Sequence, residues 1–375
     1  MIGEKRNIRL SKCSIGIEER EAVMRVFDQQ YLGMGREVQL FEQELKDYLK
    51  TDLEVICVNT GTAALHLALL CLDLKSGDEV LVPTITYVAS FQAVSATGAK
   101  AVACDVSTNN FFINLEDAEK RITKNTKAIM PVHYASDSSQ MDEVYRFAKK
   151  HNLRVIEDAA QAMGCSRNGV RVGTSGDILC FSFDGIKNIT SGEGGMIVTR
   201  DQALAQRLRD ARLLGVEKDT DMRYKGERSW TFDVRHQGFR YHMSDIMAAI
   251  GREQLKKLDK FKEKRRTLAL QYVSRLSNLR EIELLNYNFN EIIPHIFVVK
   301  ILNGKRDEVQ AFLQGYGISS GIHYFPNHLL SLYKTTYALP VAEKLKDQML
   351  TLPLHVDLTL DDVNFVCEIL AKKLV

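Results

Sequence analysis

What most constrains this chain is the alternation that begins at residue 54. Short apolar runs recur: EVICV (54–58), EVLV (79–82), AVAC (101–104), AIMPV (128–132), LRVIE (153–157), DILCFSF (177–183) and GMIVT (195–199). Between several of them lie amphipathic stretches such as TAALHLALLCL and MDEVYRFAKKHN. Continuous apolar runs of this length read as strands buried on both faces. The intervening 3.6-residue periodicity reads as helix. Strands alternating with helices build a mainly parallel sheet, here of seven strands, with helices on both faces.

The pattern then changes. The stretch MSDIMAAIGREQLKKLDKFKEKRRTLALQYVSRL reads as one long helix, with Ser244 placed to cap it. Beyond it, IIPHIFVVKI, KRDEVQAFLQGYG and TLDDVNFVCEILAKKL suggest a small α+β unit, with Thr359 and Asp362 forming a capping pair. A chain of 375 residues exceeds one typical domain. The expected division is therefore 1–245, an N-terminal segment plus a large ligand-binding domain, and 246–375, a linking helix plus a small C-terminal domain.

Composition excludes several classes. No apolar run reaches the roughly 18 residues of a membrane span. The start, MIGEKRNIRLSKCSIGIEER, lacks the apolar core of a signal peptide. The seven cysteines are scattered, which fits neither a disulfide framework nor a metal cluster. Formal net charge is +2, and the basic stretch KKLDKFKEKRR (256–266) is interleaved with acids and apolar residues, as on a solvated helix face. The expectation is a cytoplasmic protein that binds neither nucleic acid nor membrane and holds no metal.

In open α/β sheets, ligands bind beyond the carboxyl ends of the strands, so the residues after each strand carry the functional signal. After EVICV come Gly61 and Thr62, opening a helix. Free N–H groups and the helix dipole make such a turn an anion site, with an ordinary threonine-capped turn as the alternative. After EVLV comes Tyr87, a ring that could stack on a planar ligand or belong to the core. Asp158 ends an apolar strand. A buried carboxylate needs a cation, either an arginine or lysine of the fold or a protonated heterocycle. Lys187 stands between an apolar strand and the cluster Gly192, Gly194 and Gly195. Desolvation makes a lysine a neutral amine, able to attack a carbonyl. Ser182 and Thr190 could donate to a phosphate. An anion site, a stacking ring, a carboxylate and an imine-forming lysine are together the parts that hold pyridoxal 5'-phosphate (PLP).

The segments GMGREVQLFEQELKDYL, NTGTAALHLAL, VPTITYVAS, VIEDAAQAMG, FSFDGIKNITSGEGGMIVT, YHMSDIMAAIGREQL and LPLHVDLTLDDV resemble the DegT/DnrJ/EryC1/StrS family of PLP-dependent nucleotide-sugar aminotransferases along essentially the whole chain. The resemblance implies the aspartate-aminotransferase fold (fold type I) and a homodimer with active sites at the subunit interface. It implies that Lys187 binds the cofactor covalently and shuttles a proton, that Asp158 pairs with the pyridinium nitrogen, and that Gln161 bonds the ring hydroxyl oxygen. Tyr87 would stack on the ring, and Gly61, Thr62 and Ser182 would hold the phosphate. L-Glutamate is the implied donor. A nucleotide-linked 3- or 4-keto-6-deoxy sugar is the implied acceptor, giving an amino sugar for a surface polysaccharide such as an O-antigen or for a glycosylated metabolite. His323, Tyr324 and His328 are candidate contacts to sugar or nucleotide, with turn packing as the competing explanation.

Two segments depart from the family pattern. Where glycine is common, this chain has Ala135, Ser136 and Asp137. Where Gly-x-Asn-x-Arg is common, it has Arg240 and His242. The family residue at Arg240 reaches the cofactor phosphate of the other subunit, whereas pairing with an interface carboxylate would explain an arginine equally well. Three rival functions are weaker. A sugar dehydratase of the family would carry histidine at Lys187, a non-catalytic regulator would not need the full cofactor set, and a nicotinamide dehydrogenase would need a G-x-G-x-x-G after its first strand.

Overall fold

The structure is a computed structural model describing residues 6–374. Residues 1–5 and Val375, which the expected 1–245 and 246–375 units include, lie outside the described residues.

The strands of the large sheet are β1 (Glu54–Val58), β2 (Glu79–Pro83), β3 (Lys100–Cys104), β4 (Thr126–Ile129) and β5 (Arg154–Asp158). A minor hairpin, β6 (Ser166–Arg167) and β7 (Val170–Arg171), precedes β8 (Ile178–Ser182) and β9 (Gly195–Thr199). Seven strands form one sheet in the order β1-β9-β8-β5-β4-β2-β3. β9 runs antiparallel to both its neighbours, and the remaining pairs are parallel. Both faces are covered, and the register shows how. Along β8, Ile178 and Cys180 join one core layer while Leu179 and Phe181 join the other, the period of two of a pleated strand.

The run expected as a strand over 128–132 stops earlier, at Ile129. Pro131 has no N–H to donate to a ladder. Val132 nevertheless bridges to Asp158, so the chain stays beside β5.

Helices α1 (Ile17–Asp28), α2 (Arg36–Leu49), α3 (Gly61–Leu70), α4 (Ala89–Ala96), α5 (Leu115–Lys120), α6 (Met141–His151), α7 (Gln202–Ala211) and α8 (Asp219–Tyr224) surround the sheet. α3 is apolar on every side, and Ala63 to Leu69 are all buried where it packs on β8, β9 and α4. A helix apolar all round belongs in the interior. α1 falls outside the periodicity that made the rest of the chain readable. Its start is marked only by Gly16, whose N–H donates to the Glu19 carboxylate at 2.7 Å.

The long helix is α9 (Asp245–Leu276), 32 residues and so about 48 Å. Ser244 caps it as expected, its Oγ accepting from the Met247 N–H at 3.3 Å. α9 packs on α1 and α2 and, further along, on the last helix of the chain. Its first residue, Asp245, is buried and accepts from the Gly35 and Val38 N–H groups, so one helix start caps another. Most of the basic stretch 256–266 is accessible, but Arg265 is buried and donates to the carbonyls of Pro294, His295 and Leu354.

The last third holds a three-stranded antiparallel sheet of β10 (Ile282–Leu284), β11 (Phe297–Ile301) and β12 (Met349–Leu352), with α10 (Arg306–Gly315), α11 (Pro340–Lys346) and α12 (Leu360–Leu374). Thr359 and Asp362 form the expected capping pair. The described N-terminal residues sit here, not on the large sheet: Ile8 bridges to Ile318 and is buried in this core. Among the described residues no helix is long and apolar enough to cross a membrane.

Candidate active site

A cavity of about 450 Å³ opens beyond the carboxyl ends of β1, β5 and β8, and Gly61, Thr62, Tyr87, Asp158, Gln161, Ser182, Lys187, His323 and Tyr324 all line it. Sequence positions more than 250 residues apart thus meet at one place.

At one end lies the start of α3. Thr60 is its cap, accepting from the Ala63 N–H at 2.9 Å. The N–H groups of Gly61 and Thr62 belong to the first turn and have no helical acceptor. A Cβ on Gly61 would stand 2.7 Å from Cβ of Ser182, so only glycine permits this approach of helix to strand. Ser182 ends β8, and its Oγ accepts from the Asp184 N–H at 3.3 Å. Two free N–H groups, a hydroxyl and the positive end of a helix dipole form an anion cradle.

At the centre is Asp158, 5% exposed, at the end of β5. Ser90 Oγ donates to Oδ2 at 2.7 Å and the Ala160 N–H to Oδ1 at 3.2 Å. Among the described residues it forms no ion pair, so the arginine or lysine that would make it a structural bridge is not there. Burial pushes its pKa up, and the bonds from Ser90 and Ala160 oppose that shift. A desolvated carboxylate facing a cavity is complementary to a cationic ligand group.

Tyr87 lies just before α4, 60% exposed and 5.8 Å from the Tyr324 ring, so it is not the core residue that its sequence context equally allowed. Gln161 accepts from the Ala135 N–H at 2.7 Å and donates Nε2 to Tyr324 Oη at 3.0 Å. Ala135 and Ser136, at the place where glycine is common, have φ of 49° and 79°. The left-handed backbone that favours glycine is kept here by other residues. Ser136 is held in it by its side chain, which donates to the Gln161 carbonyl at 2.5 Å.

Lys187 sits in the loop from β8 to β9, its Nζ 3.4 Å from Nε2 of His295. The residue is partly accessible because it lines the cavity, but desolvation lowers its pKa, against the pull of Asp184, Asp158 and Glu193. The loop is pinned by Thr190, whose Oγ1 donates to the Phe183 carbonyl and accepts from the Gly192 N–H. Gly192 has φ of 84°, the turn that requires glycine. Thr190 is buried there and does not line the cavity, so it is a loop clasp and not a phosphate donor.

Two further candidates are not brought in. His328 is 2% exposed and away from the cavity, with Nδ1 2.9 Å from Thr84 Oγ1 and Nε2 3.2 Å from Glu343. It braces a turn, the packing explanation allowed for it. Arg240 is exposed and outside the lining. Its backbone bridges to Leu213, and its side chain makes no ion pair among the described residues. Next to it, His242 is pushed down to about 4, by burial first and by Arg240 second.

His323 and Tyr324 do reach the cavity. His323 Nδ1 lies 2.9 Å from Thr351 Oγ1, and burial takes the imidazole down to about 4. The sequence did not point to Ser90 or His295. Ser90 follows Tyr87 by one helical turn, a spacing that could have flagged it. His295 sits in the apolar stretch IIPHIF with no local signal.

Residues 14–371 match the DegT/DnrJ/EryC1/StrS aminotransferase family. The chain belongs to that family. Of the relatives, dTDP-4-dehydro-2,3,6-trideoxy-D-glucose 4-aminotransferase of Saccharopolyspora spinosa is 34% identical over 366 residues, covering 96% of this chain and 95% of that one. The crystal structure of the aminotransferase TlmJ from Streptoalloteichus hindustanus superposes with a TM-score of 0.91 at 29% identity, covering 98% of both chains. A putative sugar aminotransferase of Streptococcus pneumoniae in its PMP form gives 0.91 at 27% identity, covering 98% of this chain and all (100%) of that one. This DegT-family chain is therefore a PLP-dependent aminotransferase of fold type I. The family's cofactor fits the residues present: a buried carboxylate with no ion pair among the described residues, a desolvated lysine and a helix start that excludes a Cβ share one cavity.

Proposed function

We propose that this aminotransferase moves an amino group from L-glutamate to a nucleotide-linked 3- or 4-keto-6-deoxy sugar, in a ping-pong double displacement that yields an amino sugar. The observation that carries the reading is that Lys187 and Asp158 line one cavity with the free start of α3. The kinship with a relative that aminates a dTDP-linked keto sugar supports the choice of acceptor.

Gly61, Thr62 and Ser182 would hold the cofactor phosphate, Tyr87 the ring face, Asp158 the ring nitrogen, Gln161 the ring hydroxyl oxygen, and Lys187 the aldehyde carbon. When bound, PLP supplies a carbon that accepts and releases amino groups and a protonated ring that withdraws electrons. Lys187, whose ammonium form desolvation disfavours, would hold the cofactor at that carbon and, when free, would carry a proton between the donor and cofactor carbons. Asp158, held by Ser90 and Ala160, would keep the ring nitrogen protonated. The two halves of the cycle use these residues in opposite order.

His323 and Tyr324 form the wall nearest the incoming sugar in this reading. The active unit is a homodimer in which Arg240 of one subunit meets the phosphate in the other. Its exposed position outside its own chain's cavity supports that reading.

The test is direct. Borohydride should fix PLP on Lys187, found by peptide mapping. L-Glutamate and a panel of nucleotide-linked keto sugars should give an aminated product whose carbon is read by NMR. Transamination by Lys187→Ala would overturn the assignment.

A further inference from the structure

Behind the cavity, Lys187 has a neighbour that the cofactor chemistry does not call for. Its Nζ lies 3.4 Å from Nε2 of His295, the one hydrogen-bond partner of that amine among the described residues. His295 is 4% exposed and fixed through its backbone. Its N–H donates to Ser136 Oγ at 3.3 Å, and its carbonyl accepts from buried Arg265 at 3.2 Å. Two elements remote in sequence thus hold the imidazole against the lysine.

The state of the imidazole follows from its surroundings. Burial first, and then the neighbouring Lys187, Arg265 and His323, push the imidazole well below its ordinary pKa and favour its neutral form. A neutral imidazole has one N–H and one lone pair. Nδ1 is buried without a partner among the described residues. With the proton on Nδ1, a donor would be buried facing nothing, and orphaned buried N–H groups are rarer than under-used acceptors. With the proton on Nε2, only a lone pair is left over.

We propose that His295 is a positioning residue for Lys187: as the Nε2–H tautomer it donates to the lone pair of the uncharged ε-amine, favouring the nucleophilic form whenever the lysine is not covalently engaged. The proposal deepens the function assigned above and rests on Lys187 being the reacting amine. The charged groups around Nζ set the contest. Asp184 and Glu193 from the β8–β9 loop and Asp158 from β5 favour the ammonium, while burial favours the amine.

The experiment is competitive acylation of Lys187 across a pH series in the cofactor-stripped full chain, read by mass spectrometry of its peptide. In His295→Leu the midpoint should rise by about one unit, leaving roughly tenfold less neutral amine near neutral pH. His295→Gln keeps an N–H donor and should restore most of the shift. An unchanged midpoint would reduce the contact to packing. A downward shift would mean that His295 accepts from an ammonium. Either result overturns the proposal. If His295→Leu does not fold, NMR of isotope-labelled histidine in the wild type decides: Nε2–H supports it and Nδ1–H overturns it. Borohydride capture on the same proteins after PLP has been added back separates the two readings, because cofactor fixed on another residue sinks the role of Lys187 whatever His295 does.

Discussion

The cavity wall and the segment between α8 and α9 are both polar and both rich in candidate residues, yet one chain finishes only the first. In the wall, each group has its support: Asp158 is gripped by Ser90 and Ala160, and Ser182 stands against Gly61. The segment is firmly rooted. Tyr224 of α8 donates to Glu42 and accepts from Arg212, which is fully buried and paired with Glu42 at 2.5 Å. Beyond that root, Trp230, Phe232 and Val234 are 88%, 55% and 48% exposed, and Arg240 has no ion-pair partner among the described residues. Support by local strand-end geometry makes a cavity wall legible within one chain. A rooted but uncovered segment points to a role outside it.

Substitution in the wall should have the largest effect. Asp158→Asn keeps the shape and loses the charge. An electrostatic partner in a water-poor site contributes several kcal/mol in the transition state, so kcat should fall by about a hundredfold or more with the fold intact by circular dichroism. Near-normal kcat would remove Asp158 from the chemistry.

Arg240→Ala probes the uncovered segment. If Arg240 serves the other subunit, cofactor affinity should weaken by about 1.5–3 kcal/mol, the worth of a charge-assisted bond. Mixing it with Lys187→Ala should then regain activity, because one hybrid site takes Lys187 from one chain and Arg240 from the other. An inactive mixture, despite subunit exchange, would place both regions on the same footing.

Ser90→Ala should be milder, about fivefold in kcat for one lost bond near 1 kcal/mol. It also has a signed pH consequence. Ser90 holds Asp158 ionised, so without it the raised carboxyl rises further, and the acidic limb of the rate profile should move to higher pH. A shift to lower pH would contradict the hydrogen bond as described.

The smallest kinetic effect belongs to His328→Ala. With the bonds to Thr84 and Glu343 gone, the melting temperature should drop, while KM for donor and acceptor stays unchanged. A raised KM for the sugar would return His328 to the site.

The strands and the residues that end them were readable because each is a local pattern. β1, β5, β8 and β9 follow from continuous apolar runs, and Gly61, Asp158, Ser182 and Lys187 are fixed to those runs within a few residues. The Ser244 and Thr359 caps were legible for the same reason. What runs against local pattern was missed: Pro131 shortens β4, Ile8 joins the C-terminal core, and Arg265 is buried within a stretch that looks solvated.

The sequence alone therefore determined the sheet and the placing of Lys187, Asp158 and the α3 start beside its strand ends, since the pleat and the helical turn put them there whatever the rest of the chain does. Only the tertiary structure decided which polar residues join them. His295 reaches Lys187 across a sequence separation of 108, while His328, five residues beyond His323, turns away into a buried brace. No periodicity links such positions. Their meeting depends on how the last third of the chain packs over the ends of the strands, where burying apolar surface sets the fit and the polar groups take the partners it leaves them.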